Sequence, residues 1–427
     1  MLFDTDKAIH LRKEMQKACL FLVGRKARDM ASNPHLVRMA STRWRILRKL
    51  TALTAISLCT IVQSCSSSPQ RHDQLEAAVP TVAQSGQPSD QSAAINPRQA
   101  DTSFTNYKFR DGETLPQVRL HYAILGEPHK DEHGSVDNAI LLLHWTNASS
   151  QALLAPEYKE ALFAPGAPFD ITRFFVIIPD SIGHGQSSKP SDELKARFPH
   201  YEYGDIVDLQ YKLVVETLGI THLRAVVGMS MGCMNAWRWA ETYPDAMDGI
   251  MPVACFPSPI SGRNLLWRRM IVDAIKSDPV WAEGNYQQQP PSVAVGLEIA
   301  QMMIDGVPHL QEEVSTPERA DEFILSVKKQ AAAQDANDLI YSFESSRDFN
   351  AEPDLDKIKV KVFALNFADD EFYRDSLQIL QHDMLKVQHG ELVVRAISAG
   401  SAGHFSMAHP QLWKDQARDF IGWLNTH

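Results

Sequence analysis

The chain has 427 residues, enough for one large domain with extensions or for two smaller domains. Hydrophobic residues make up 44% and charged residues 22%, a globular composition. The net charge of −10 excludes the basic face of a nucleic-acid binder, so no nucleic-acid partner is expected, and it disfavours general attachment to anionic membranes.

The first fifty residues are rich in Lys and Arg, with Arg43, Arg45, Arg48 and Lys49 grouped before the apolar run Leu50 to Val62. That run is too short to span a bilayer, which takes about 20 apolar residues. A basic stretch before a short apolar one has the layout of an export signal, predicted here over residues 1–64. Met39 opens a better-proportioned signal than Met1, so translation is expected to start there. Val62-Gln63-Ser64-Cys65 is similar to a bacterial lipobox, in which Cys65 would be lipidated after cleavage; Gln63 departs from the usual small residue. The expectation is an exported protein, periplasmic or anchored to a membrane through Cys65, with a cytoplasmic location as the alternative. If Cys65 begins the mature chain, only Cys233 and Cys255 remain as further cysteines. That is no disulfide framework and no zinc module, and spacing leaves a single bridge open. Residues 65–103 have the Ser, Gln and Pro content of a disordered linker.

From Phe104 onwards, strand-length apolar runs alternate with helix-length amphipathic segments, which predicts an α/β fold on a mostly parallel sheet. Val118–Ala123 is the first strand candidate. Ala139–His144 is the second, and it runs into Trp145-Thr146-Asn147. Phe174–Ile178 is the third. It is followed by Asp180-Ser181-Ile182-Gly183-His184-Gly185-Gln186-Ser187, a loop that lacks G-x-G-x-x-G and reads as scaffold, not as a phosphate cradle. A helix is predicted over 204–218, ended by Gly219. The strand Leu223–Val227 then runs into Gly228-Met229-Ser230-Met231-Gly232, followed directly by a helix over 231–243. G-x-S-x-G between a strand and a helix is the setting of a nucleophile elbow, with Ser230 as nucleophile. After the strand Gly249–Ala254, residues 256–356 contain no convincing strand. They are expected to form a helical cap, with segments at 268–275, 294–304 and 317–333, because a plain loop of this length would be exceptional.

The strand Val360–Asn366 leads into Asp369-Asp370-Glu371, and a helix is predicted over 374–387. A serine hydroxyl needs a base that is oriented by an acid. Asp370 suits the spacing beyond the strand better than Asp369, which stays the alternative. After the last strand, Leu392–Ile397, His404 lies in a loop of small residues before a helix over 411–424. Its position makes it the candidate base, with His409 as the alternative. The oxyanion calls for two amide donors, assigned to Met231, after the nucleophile, and to Thr146, with Trp145 as runner-up. No metal and no organic cofactor are needed. The core is expected over 104–255 and 357–427.

These residues together resemble the α/β-hydrolase superfamily. Asp205 to Gln210, Gly228 to Asn235 (GMSMGCMN), Ala240 to Asp245, and Ala274 to Trp281 with Gly284-Asn285-Tyr286 are similar to segments of the homoserine O-acetyltransferases and their hydrolase relatives. The resemblance covers roughly residues 104–425. It implies an α/β-hydrolase fold, a serine acyl-transfer mechanism and a homodimer through the cap. The arginine with which that family holds the homoserine carboxylate falls on Val272 here, and Arg268 and Arg269 stand a helical turn earlier. An exported enzyme would also lack an acyl-CoA. The function expected is therefore an exported serine hydrolase acting on a small-molecule ester or related acyl substrate. An O-acyltransferase of the homoserine type is the alternative, and a non-catalytic lipoprotein binding module is a second one.

Overall fold

The computed structural model describes residues 95–426; the export segment, Cys65 and the linker up to residue 94 lie outside the described residues. Eight strands form one sheet: β1 Arg98–Lys108, β2 Thr114–Leu125, β3 Ala139–Leu143, β4 Phe175–Pro179, β5 Ala225–Met229, β6 Gly249–Val253, β7 Lys361–Phe367 and β8 Gly390–Arg395. Their order across the sheet is β1-β2-β4-β3-β5-β6-β7-β8. β1 runs antiparallel to β2, and β2 antiparallel to β4; every other pairing is parallel.

The central strands are apolar throughout because helices cover both of their faces. Alternate residues of β3 go to opposite sides. Leu141 and Leu143 join the cluster that holds Trp237 and Trp239, while Ile140 and Leu142 join the one that holds Trp413 and Phe420. The flanking helices include α1 Tyr203–Lys212 and α2 Met231–Thr242. α1 begins with reciprocal caps between Glu202 and Asp205. Cys233 in α2 and Cys255 beyond β6 are joined in a disulfide, their Cα atoms 6.0 Å apart.

Between β6 and β7 the chain forms α3 Gly262–Lys276, α4 Ser292–Ile304, α5 Val307–Glu313, α6 Pro317–Ala331 and α7 Ala336–Glu344, with no strand. This is the expected helical insertion. After β7 come α8 Ile379–Met384 and the closing α9 Lys414–Leu424.

Two expectations need correction. The linker does not extend to residue 103, because β1 begins at Arg98. Its burial alternates, with Ala100, Thr102 and Phe104 partly covered and their neighbours exposed, as on an edge strand paired on one side only. The helix expected over 374–387 is broken: Gln378 has a φ of 56° and separates a single turn from α8.

Candidate active site

Because β3, β5, β6 and β7 are mutually parallel, their C-terminal ends lie along one edge of the sheet, where open α/β sheets place their sites. Leu143 pairs with Gly228, Met229 with Val253, and Val253 with Leu365. The residues that follow these positions are therefore neighbours in space.

Ser230 stands between β5 and α2 at φ 52° and ψ −106°, a backbone geometry that costs about 1–3 kcal/mol. Surrounding bonds hold it there: Ser230 N–H donates to the Val253 carbonyl at 2.9 Å, and Gly232 N–H to the His144 carbonyl at 3.1 Å. A Cβ on Gly228 would strike the Gly232 carbonyl, and one on Gly232 would strike those of Leu143 and His144. Both glycines of the motif are thus required by close approach of backbone.

Ser230 Oγ lies 2.9 Å from His404 Nε2, and His404 Nδ1 lies 2.7 Å from Asp370 Oδ2. A carboxylate only accepts, so Nδ1 carries the imidazole proton and Nε2 faces the hydroxyl. All three side chains are buried. The other oxygen of Asp370 accepts the amides of Phe372 and Tyr373, at 2.8 and 3.1 Å. These bonds offset the desolvation of a buried carboxylate.

Asp369 is turned elsewhere: its Oδ2 accepts the amide of Gly403 at 2.9 Å, which holds the loop carrying His404. His409 packs against the Phe405 ring at 5.7 Å and makes no hydrogen bond to Ser230 or Asp370 among the described residues. Trp145, Thr146, Ser230 and His404 line one cavity of about 390 Å³, roofed by residues of α3, α4 and α6. Met231 opens α2, where the first amides have no acceptor within the helix.

Two histidines outside the expected set shape this edge. His144 Nδ1–H donates to the Trp145 carbonyl at 2.8 Å, and its Nε2 accepts the amide of Ser181 at 3.0 Å. It thereby ties the Trp145–Thr146 turn to the loop after β4. Burial holds its pKa below the usual histidine range, which suits a ring that must accept at Nε2. His184 accepts from the Ser342 hydroxyl at 2.9 Å and so links that loop to α7; burial first, then the neighbouring His144, push its pKa down to about 3. The loop over 180–187 is a strut, as expected: Asp180 accepts the amides of Ser150 and Gln186, and Ser187 donates back to the Asp180 carbonyl. An adjacent His after a strand end was the available signal for His144.

Asp305, His309 and Glu313 bring their ligand-type atoms within 4.8 Å of one another. His309 Nδ1 already lies 2.9 Å from both Asp305 oxygens, within hydrogen-bond distance, so that nitrogen is engaged by its neighbour just ahead of α5.

The family model of the alpha/beta hydrolase fold matches residues 139–335. A probable acyltransferase of Methanothermobacter thermautotrophicus is 26% identical over 300 residues, covering 70% of this chain and 90% of that protein. A homoserine O-acetyltransferase of Thermobifida fusca is 33% identical over 204 residues, 44% of this chain and only 52% of that protein. Among solved structures, the acetyl esterase MekB superposes with a TM-score of 0.66 at 22% identity, over 77% of this chain and 96% of that one. The chain is an enzyme with the α/β-hydrolase fold, similar in sequence to acyltransferases and in structure to esterases.

Proposed function

We propose that this protein is an exported serine hydrolase that cleaves an ester or related acyl compound through an acyl-enzyme on Ser230. The observation that carries this reading is the hydrogen-bonded relay from Asp370 through His404 to Ser230 at the floor of a capped cavity. Ser230 Oγ attacks the substrate carbonyl carbon while its proton passes to His404 Nε2. The amides of Met231 and Thr146 receive the developing oxyanion. The bond to the leaving alcohol breaks as His404 returns the proton to the alcohol oxygen. Water then attacks the acyl carbon, again giving its proton to His404; the bond from that carbon to Ser230 Oγ breaks as His404 returns the proton to Oγ, which releases the carboxylic acid and regenerates Ser230. Asp370 holds the tautomer and stays a carboxylate throughout.

Export is supported by the basic and apolar N-terminal stretches, and Cys65 is the proposed lipid attachment point. The Cys233–Cys255 disulfide also favours an oxidising compartment. A second reading, transfer of the acyl group to an alcohol acceptor, is favoured by the similarity to acyltransferases.

One experiment tests the proposal. Purified protein is treated with a fluorophosphonate probe, then offered 4-nitrophenyl acetate alone, or acetyl-CoA with homoserine. The expected result is labelling of Ser230 and release of 4-nitrophenol with no acceptor present. Turnover only with acetyl-CoA and homoserine replaces hydrolysis by acyl transfer, and absence of labelling removes both.

A further inference from the structure

Cys233 and Cys255 are 0% and 2% exposed, and the disulfide between them joins two segments that hold the nucleophile. Cys233 is the third residue after Ser230, on the first turn of α2. Cys255 is the second residue after Val253, whose carbonyl accepts the Ser230 amide at 2.9 Å. Between Val253 and Cys255, Ala254 takes a φ of 63° and donates its amide to the Leu365 carbonyl at 2.8 Å. Each cysteine thus follows closely on a left-handed residue that is not glycine, Ser230 or Ala254. Such a backbone persists only where its surroundings over-determine it.

The elbow is otherwise held by single hydrogen bonds, from Ser230 N–H to Val253 and from Gly232 N–H to His144. The disulfide adds a covalent tie between positions 22 residues apart. Reduction would put two thiols where one bond stood. Nonbonded heavy atoms settle at about 3.5–4.0 Å, and a close-packed interior has no spare room for that separation. The Cys233 amide already sits hard against Gly228, where an added Cβ would lie 2.9 Å from it. The first turn of α2 must then shift from the end of β6, and Ser230 shifts with it. On the far side of the bond, the Phe256 ring packs 5.0 Å from that of Tyr373. The Tyr373 amide holds Asp370, and its ring lies 5.6 Å from that of His404. One bond therefore links the helix of the nucleophile to the surroundings of the acid and the base.

We infer that the Cys233–Cys255 disulfide is a positioning element for Ser230, so that this enzyme transfers acyl groups at its full rate only once the two thiols are oxidised. The inference rests on the acyl-enzyme reading above. Ser230 Oγ lies 2.9 Å from His404 Nε2, and a displacement of about 1 Å at reacting atoms costs about 10²-fold in rate. The oxidation is an exchange with an oxidant of the disulfide class. The two cysteines lose two electrons and two protons, a bond forms between their sulfurs, and the oxidant's disulfide breaks into two thiols. Both sulfurs are buried, so exchange needs an opened chain; the bond is set during folding and is then protected. A chain folded under reducing conditions is a slow enzyme, and one folded in an oxidising compartment is a fast one.

The test folds the full chain with glutathione disulfide and, separately, with dithiothreitol. Alkylation and peptide mass mapping read the state of Cys233 and Cys255 in each form. On 4-nitrophenyl acetate the reduced form should keep its circular dichroism, and its KM to within about twofold, but lose kcat by about 10- to 100-fold. Unfolding and refolding it with glutathione disulfide should restore kcat. C233A/C255A has no bond to lose; its kcat should lie below that of the oxidised wild type and should not respond to dithiothreitol. Where the reduced wild type does not fold, the kcat of C233A/C255A decides alone. A folded, reduced protein with the kcat of the oxidised one overturns the positioning role and leaves Ser230 chemistry standing. So does a double variant that melts at lower temperature yet keeps the wild-type kcat, because the bond is then structural only. A double variant that slows in dithiothreitol as the wild type does overturns the assignment to this bond. An oxidised protein that neither hydrolyses the ester nor takes a fluorophosphonate on Ser230 overturns the acyl-enzyme reading, and this inference falls with it.

Discussion

Asp369 and Asp370 are adjacent in sequence and both buried, yet they meet different partners: one the Gly403 amide, the other the His404 ring. The difference predicts different kinetics. D370N places an amide where the ring needs an acceptor and favours the wrong tautomer, so kcat on 4-nitrophenyl acetate should fall by about 10³- to 10⁴-fold. D369N weakens one loop contact and should cost far less, about tenfold. Steady-state kinetics on both variants checks this, and equal losses would mean that the two carboxylates share the task. Sequence position alone singles out Ser230 and His404, because a strand-to-helix serine and a loop histidine after the last strand are local patterns. Spacing cannot separate two neighbouring carboxylates in a turn. Nor can it show that Cys233 and Cys255 are bonded, since that depends on how α2 packs against the end of β6.

At the scale of elements, six strands lie within about two residues of the apolar runs that predict them, and β2 begins four residues before its run. Strands covered on both faces are nearly continuous in Val, Ile and Leu, which is the easiest pattern to read. β1 is an edge strand with polar residues interleaved, and its composition passes for a linker. α7 is not among the predicted segments, although Ala336, Leu339, Ile340 and Phe343 recur at helical spacing after Asp335, which caps the helix. The break at Gln378 carries no such signal, because a left-handed residue that is not glycine has no marker in the sequence. The elbow is the element whose geometry is most tightly required. In G232A the added methyl would press on the carbonyls at the end of β3, and overpacking of this kind costs about 1–3 kcal/mol. Urea unfolding should show that loss, and it should be accompanied by a fall in kcat as Ser230 shifts. A variant with wild-type stability would refute the close approach.

For the molecule as a whole, the sheet places the reacting groups and the insertion covers them. Ser191, in the stretch after β4, donates through its amide and hydroxyl to Asp338 of α7, at 2.9 and 2.6 Å. Burial raises the Asp338 pKa from 3.8 to about 6. The folded protein therefore holds that proton more tightly than the unfolded chain. This contribution to stability is present at low pH and is lost as pH rises from about 4 through about 6. The stability of the wild type relative to D338N should fall over that range by on the order of 2 kcal/mol, allowing for the partial exposure of the group. Unfolding of both proteins at pH 4.5 and pH 7 measures it, and a gap independent of pH would contradict the account. The cap was legible as a region without strands, but its cavity was not, because the lining comes from α3, α4, α6, α7 and the turns that follow β3, β5, β7 and β8.

Acyl transfer through Ser230 requires a covalent acyl group on its Oγ. Rapid mixing with excess 4-nitrophenyl acetate, followed by acid quench and peptide mass mapping, measures it directly. The expected result is a burst of 4-nitrophenol and an acetyl group on the peptide that carries Ser230, both absent in S230A. Steady turnover with no acetylated Ser230, or with the acetyl group on another residue, would contradict it.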